Sequence, residues 1–256
     1  MRTAAVIDDG DLEGVEAALA LAPIAFAGGF IQGLTGFGSA LVTIPLATFF
    51  VPLPYALAVF AVVDFANGLR LGLENPRNAV LGDIARMVPL MIAGIVTGTT
   101  LLVNLPRNAS LVALGAFVLC YAIYSLSRRG PPAAASRNWA FLAGFCGGLS
   151  GTLFGAGGPP YAIYLSHRPL SKEQFRATMT LTTIFSIGLR LIAFAVTGLL
   201  MQDGVWITAA AAIPAGLLAV YLASRVFRVI SREMVMRAVG ILLLASGASL
   251  IARGLG

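Results

Sequence analysis

Apolar runs of roughly 20 residues follow one another along the whole chain, and they constrain its fold more than any single motif. A helix needs about 20 apolar residues to cross about 30 Å of hydrocarbon. Such runs cover about 19–53, 54–73, 84–103, 109–127, 139–166, 174–199, 204–222 and 235–252. Of the 256 residues, 58% are hydrophobic and 11% charged, with mean hydropathy +0.90, against roughly 45–50% and about 25% in a soluble domain. One globular core cannot hide that much apolar surface. The alternation of about 10 residues per strand that marks an outer-membrane barrel is missing. The fold expected is therefore an all-α integral membrane bundle of about 8 membrane segments.

Net charge is +6, but the Arg residues sit in short loops, where basic residues set orientation, so nucleic acid is not read as a partner. Cys120 and Cys146 lie inside apolar runs and read as packing residues, not as a disulfide or metal site. No metal or cofactor is expected. The first residues carry Asp8, Asp9, Asp11, Glu13 and Glu16 against Arg2, unlike the positive start of a cleaved signal. The division expected is an acidic tail (1–18), a first membrane repeat (19–127), a linker (128–138) that begins Arg128-Arg129-Gly130-Pro131-Pro132, and a second repeat (139–256). Trp139 and Trp206 each begin an apolar run, as interfacial residues do. His167, the one histidine, stands at a loop edge.

The halves resemble each other. GFIQGLTGFGSALVTIPL starts at Gly29 and GFCGGLSGTLFGAGGPPYAIYL at Gly144. FANGLRL starts at Phe65 and FSIGLRL at Phe185, 120 residues later. Ala93-Gly94 then matches Ala215-Gly216, and Gly115 matches Gly240. Landmarks in the same order mark an internal duplication. Transporters built from two repeats place substrate where helices break at Gly or Pro in corresponding positions. Gly33, Gly36 and Gly38 in one half, and Gly155, Gly157 and Gly158 before Pro159 and Pro160 in the other, read as such breaks. The competing reading is a small-residue packing seam, which Gly29, Gly33, Gly144 and Gly148 also fit.

Loop charge arbitrates the topology. If each Gly-rich segment enters and leaves on one face, then Arg77, Arg86, Arg128 to Arg137, Arg168 to Arg176, Arg225, Arg228, Arg232 and Arg237 share one side. The other side keeps Arg107, Asp203, Arg253 and the acidic tail, as the positive-inside rule prefers. The expected arrangement is two inverted repeats, each a broken, re-entrant hairpin plus three transmembrane helices, with both termini outside.

Charges inside apolar helices are costly and usually functional. Thr178, Thr182, Ser186 and Arg190 recur every four residues, a polar stripe ending in Arg; on the matching helix Asp64, Asn67 and Arg70 recur every three. Guanidinium groups bind oxyanions through forked hydrogen bonds, and half-helix N-termini add backbone N–H donors. The set suits an anion, with Arg190 and Arg70 attracting it, Thr182, Ser186 and Asn67 alongside, and Asp64 either paired with an Arg or carrying a coupling proton. No HExxH, GxSxG or P-loop is present, so an enzyme is not expected and a secondary transporter or channel is.

The two Gly-rich segments and the repeated FxxGLRL-type helix resemble the sulfite exporter TauE/SafE family over about 20–252. The resemblance implies a multi-pass transporter of the bacterial inner membrane that moves sulfite or a small organosulfonate outward. Its motif falls on Gly33, Thr35, Gly36, Phe37 and Gly38, then on Ser150, Gly151, Gly155, Gly157, Gly158 and Pro159. Two departures reshape the expected pocket: Ser39 stands where a third Gly is common, and the second motif is one residue longer between Gly151 and Gly155. A carboxylate or other organic anion is the alternative substrate, and a non-transporting membrane assembly protein the alternative class. Lipid is the expected surroundings; the oligomeric state stays open, a homodimer included.

Overall fold

The computed structural model describes residues 15–73, 76–127, 136–226, 244–245 and 247–255. Most of the expected acidic tail and linker, with Arg128, Arg129, Arg228, Arg232, Arg237 and Gly240, lies outside them. Among the described residues nine α-helices carry the fold: α1 (Val15–Thr35), α2 (Ser39–Ala47), α3 (Leu53–Gly72), α4 (Leu81–Asn104), α5 (Arg107–Ser127), α6 (Trp139–Phe154), α7 (Gly158–Ser166), α8 (Lys172–Val196) and α9 (Val205–Val226). Residues 247–255 add a further helical stretch, and no strand occurs among the described residues. Five of the helices, α1, α3, α4, α8 and α9, are long and apolar enough to cross a bilayer. Large apolar side chains face outward along them: Val96, Ile192 and Ile207 are each more than half exposed. A water-soluble surface rarely tolerates patches of that extent; lipid matches them.

Local chemistry sets the ends. Ser171 caps α8 by accepting from the Gln174 N–H (3.1 Å), while the Gln174 side chain accepts from the Ser171 N–H (3.0 Å), a reciprocal capping box. Pro54 sits in the first turn of α3, where a missing N–H costs nothing. Trp139 and Trp206, both more than half exposed, open α6 and α9.

Each Gly-rich segment folds as a helical hairpin. Gly28 of α1 lies against Ser39 and Thr43 of α2; Gly147 of α6 lies against Tyr161 of α7. The short helix thus doubles back along the long one. Each hairpin then docks on the other half of the chain. Gly144 and Gly148 press on the Met87 and Met91 carbonyls of α4, and Gly98 of α4 on Thr152 of α6. Gly29 presses on Gly216, and Gly33 on Val220 and Ala223, both in α9. Rising numbers meet rising numbers in both seams, so α6 runs parallel to α4 and α1 parallel to α9. The landmark glycines Gly94 and Gly216 are the receiving surfaces of these seams.

Direction follows from a few contacts. α3 and α8 are antiparallel, with Phe65 beside Gly188 and Gly72 beside Leu181. At one end of the bundle α4, α7 and α8 meet: Tyr164 donates to Asp83 Oδ1 (2.9 Å), Arg168 Nε to Asp83 Oδ2 (3.2 Å), and the Val80 N–H to Thr178 Oγ1 (3.0 Å). At the other end Tyr55 of α3 bonds Thr208 of α9 (2.8 Å), and Arg253 reaches the Thr48 carbonyl just past α2 (2.6 Å). The two hairpins therefore start from opposite ends of the bundle. Asp83, 1% exposed, is a buried acid that the sequence does not single out. Cys120 faces outward and Cys146 is half-buried, both free, so Cys120 is not the interior packing residue its apolar setting suggests.

Candidate functional site

The two breaks meet. Gly38 (φ 90°) and Gly155 (φ 71°) hold left-handed conformations that side chains with a Cβ rarely adopt. Hydroxyls one turn upstream tie down the loosened backbone. Thr35 reaches the Ile31 carbonyl (2.9 Å) and the Phe37 carbonyl and accepts from the Phe37 N–H (3.2 Å). Ser150, its counterpart, reaches the carbonyls of Cys146 (2.8 Å) and Ala156 (3.1 Å). Phe37 packs on Gly158, and Gly155 on Ala40 and Ile44, so the tip of each hairpin touches the other.

A cavity opens at this crossing, with about 390 Å³ of space counting its mouth, between the starts of α2 and α7 and the facing sides of α3 and α8. Gly38, Ser39 and Ala40 bring the first turn of α2 to it; Gly157, Gly158 and Pro159 bring that of α7. Both half-helices thus present their N-terminal, positive ends. α2 supplies free N–H donors as well, whereas Pro159 and Pro160 strip two from α7.

Arg190 supplies the charge. It is 3% exposed. One terminal nitrogen donates to the Gly151 carbonyl, its guanidinium carbon lies 5.8 Å from the Phe194 ring centre, and Nε has no partner. The Tyr161 hydroxyl and Ser186 share a hydrogen bond (3.0 Å) beside it. Thr183 lines the cavity with its hydroxyl unpartnered. Asp64 of α3, buried, lines the cavity too, together with Ser39, and faces the Arg190 charge. Among the described residues these two make no direct salt bridge: their charges act across the cavity. No group of three His, Cys, Asp or Glu side chains that could hold a metal occurs among the described residues.

Of the residues singled out from the sequence, Phe37, Gly38, Ser39, Asp64, Gly151, Gly155, Gly157, Gly158, Pro159, Ser186 and Arg190 line this cavity. Thr35, Gly36 and Ser150 stand behind it and shape the breaks. Four others are elsewhere. Gly33 belongs to the α1–α9 seam. Thr182 turns its hydroxyl onto the Thr178 carbonyl of its own helix (2.8 Å). Asn67 is fully buried against Gly216 with its amide unpartnered. Arg70 is exposed in the last turn of α3. Helical phase explains most of this: four residues advance about 400° and three about 300°, so a strict i+4 or i+3 stripe drifts around the helix. The face that lines the cavity is Thr183, Ser186, Ile187 and Arg190, a 3–4–7 spacing. Tyr161 and Thr183 escaped the sequence reading; the 3–4–7 pattern ending at Arg190 was the available signal for Thr183.

Apolar helices of spanning length around a polar cavity, built where two broken hairpins cross, define a multi-pass membrane protein. The chain belongs to the sulfite exporter TauE/SafE family, whose model matches residues 21–250, a family of membrane transporters. No curated protein and no solved structure matches it.

Proposed function

We propose that the chain is a secondary transporter that moves a small sulfur oxyanion, sulfite or an organosulfonate, outward across a bacterial inner membrane. The observation that carries this is Arg190: a buried guanidinium with an unpartnered Nε, in a cavity onto which two half-helix N-termini open. A buried cation without a full set of acceptors is costly, and an oxyanion supplies the missing acceptors in the forked geometry guanidinium favours. Ser39, Thr183, Ser186 and Tyr161 supply neutral hydroxyls around it. Asp64 is the coupling residue and carries a proton.

In this reading the two hairpins are re-entrant and the halves inverted in the membrane, with six further crossings and both termini outside. The seams bind the first hairpin to α9 and the second to α4. Rocking of one such unit against the other exposes the crossing point first to one face, then to the other.

Proteoliposomes test the reading. Labelled sulfite and methanesulfonate are expected to move by a saturable route that each blocks for the other. Flux of acetate but of neither sulfur anion would transfer the site to carboxylates, and no flux of any anion would sink the proposal. Arg70→Ala is expected to keep flux within about twofold of wild type, the range of an ordinary surface substitution. A loss as deep as that of an Arg190 variant would put Arg70 back in the site.

A further inference from the structure

We infer that each anion crosses together with one proton held on Asp64, so that transport is electroneutral and the cavity selects monovalent over divalent anions; this rests on the transport reading above. Charge must balance at the crossing of the breaks, and the groups around Asp64 set that balance. α8 presents Arg190, α7 presents Tyr161 and α2 presents Ser39; α6 contributes Gly151 without a side chain. From α1, Gln32 donates to the Asp64 backbone carbonyl (3.4 Å), and toward α9 the same face of α3 carries the neutral Asn67 against Gly216. Among the described residues around the cavity there is thus one fixed cation, Arg190, and one carboxylate, Asp64.

Empty, with Asp64 ionised, the cavity is neutral. An anion of charge −1 seated on Arg190 leaves the buried carboxylate uncompensated, a costly state in a low-dielectric interior. One proton, taken from water onto an Asp64 carboxylate oxygen, restores neutrality, and it leaves to water on the far side as the anion departs. The loaded and empty cavities then carry the same net charge, so neither drags charge through the bilayer. An anion of charge −2 needs a second proton, and among the described residues that line the cavity no second carboxylate can hold one. Such a species enters only after taking that proton itself, so sulfite crosses as hydrogen sulfite. Methanesulfonate, whose charge is −1 at any working pH, is the clean probe and sulfate the divalent counter-probe.

Binding of labelled methanesulfonate to the purified protein is measured across the pH range, then flux in proteoliposomes carrying a luminal pH dye and a potassium–valinomycin clamp. Wild-type affinity is expected to fall about tenfold per pH unit once Asp64 is ionised, the slope of one linked proton. Asp64→Asn is expected to bind with an affinity that no longer varies with pH. An inward methanesulfonate gradient should acidify the lumen at a rate indifferent to the clamped potential, and Asp64→Asn should lose that acidification. Sulfate should compete at least about a hundredfold more weakly, since its second charge stays uncompensated. Flux that follows the membrane potential without acidification, or sulfate carried as fast as methanesulfonate, overturns the inference while the anion site stands. Failure of wild type to bind any anion removes the transport reading and this inference with it.

Discussion

Replacing Arg190 with alanine is expected to abolish anion transport while the bundle still assembles. Among the described residues the guanidinium is the one buried cation of the cavity, and its unpartnered Nε marks unused donor capacity. Truncating one member of a buried, hydrogen-bonded charge pair costs about 2–5 kcal/mol, which is roughly thirtyfold to a few thousandfold in anion affinity. The fold loses less. The Gly151 carbonyl gives up one donor, a matter of about 1 kcal/mol; Asp64, left without its counter-charge, takes a proton from water rather than stay charged and buried; and the seams that hold the hairpins do not involve Arg190. Arg190→Lys separates charge from shape. It keeps the cation but not the planar fork, so it should recover part of the affinity and not all of it. The measurements are methanesulfonate flux and a methanesulfonate-dependent rise in melting temperature, with the unliganded melting temperature as the control for folding. An Arg190→Ala protein that folds and transports at the wild-type rate would remove the cavity from the transport path.

Widening the α4–α6 seam is expected to be the most damaging change to the fold. A Cβ on Gly144 would stand 2.2 Å from the Met87 carbonyl oxygen, and one on Gly94 2.2 Å from the Phe145 carbonyl oxygen. Both obstacles are backbone atoms inside helices, so no rotamer change relieves them. Association of helices in lipid depends on such close approach, because the surrounding chains are as apolar as the side chains. Gly144→Ala should cost at least the 1–3 kcal/mol typical of overpacking, and Gly144→Val more, since it forces the second hairpin away from α4. Gly82→Ala is the matched control. Its nearest neighbour is the tip of Arg86 at 3.6 Å, and alanine favours a helix by up to about 1 kcal/mol over glycine. Thermal unfolding and the monodisperse yield in detergent read both changes. Equal behaviour of Gly144→Ala and Gly82→Ala would mean that α6 does not lie on α4 as described. Gly29 and Gly216 form the matching contact on α1 and α9, where a Cβ on Gly29 would come within 2.6 Å of the Gly216 carbonyl oxygen, and substitution there should act the same way.

Break and seam, weighed as rivals in the sequence, turn out to be neighbouring parts of one segment. Gly29, Gly33, Gly144 and Gly148 pack, while Gly36, Gly38 and Gly155 bend. The repeated word FxxGLRL shows where local identity stops predicting function. Arg70 and Arg190 occupy its same position, yet α3 ends two residues past Arg70 whereas α8 runs six past Arg190. One arginine is left at a helix end and exposed; the other is drawn a turn and a half inside, against Gly151.

The sequence by itself determined the membrane class and the two points where helices break, because each is written in short-range quantities: apolar length and the backbone habits of Gly and Pro. Tertiary structure alone decided which polar groups share a cavity. That depends on helical phase, on how far each helix continues, and on the exchange that docks each hairpin against the opposite half. Asp64 and Arg190 are 126 residues apart in the chain, and no local pattern on either helix says that the two face each other.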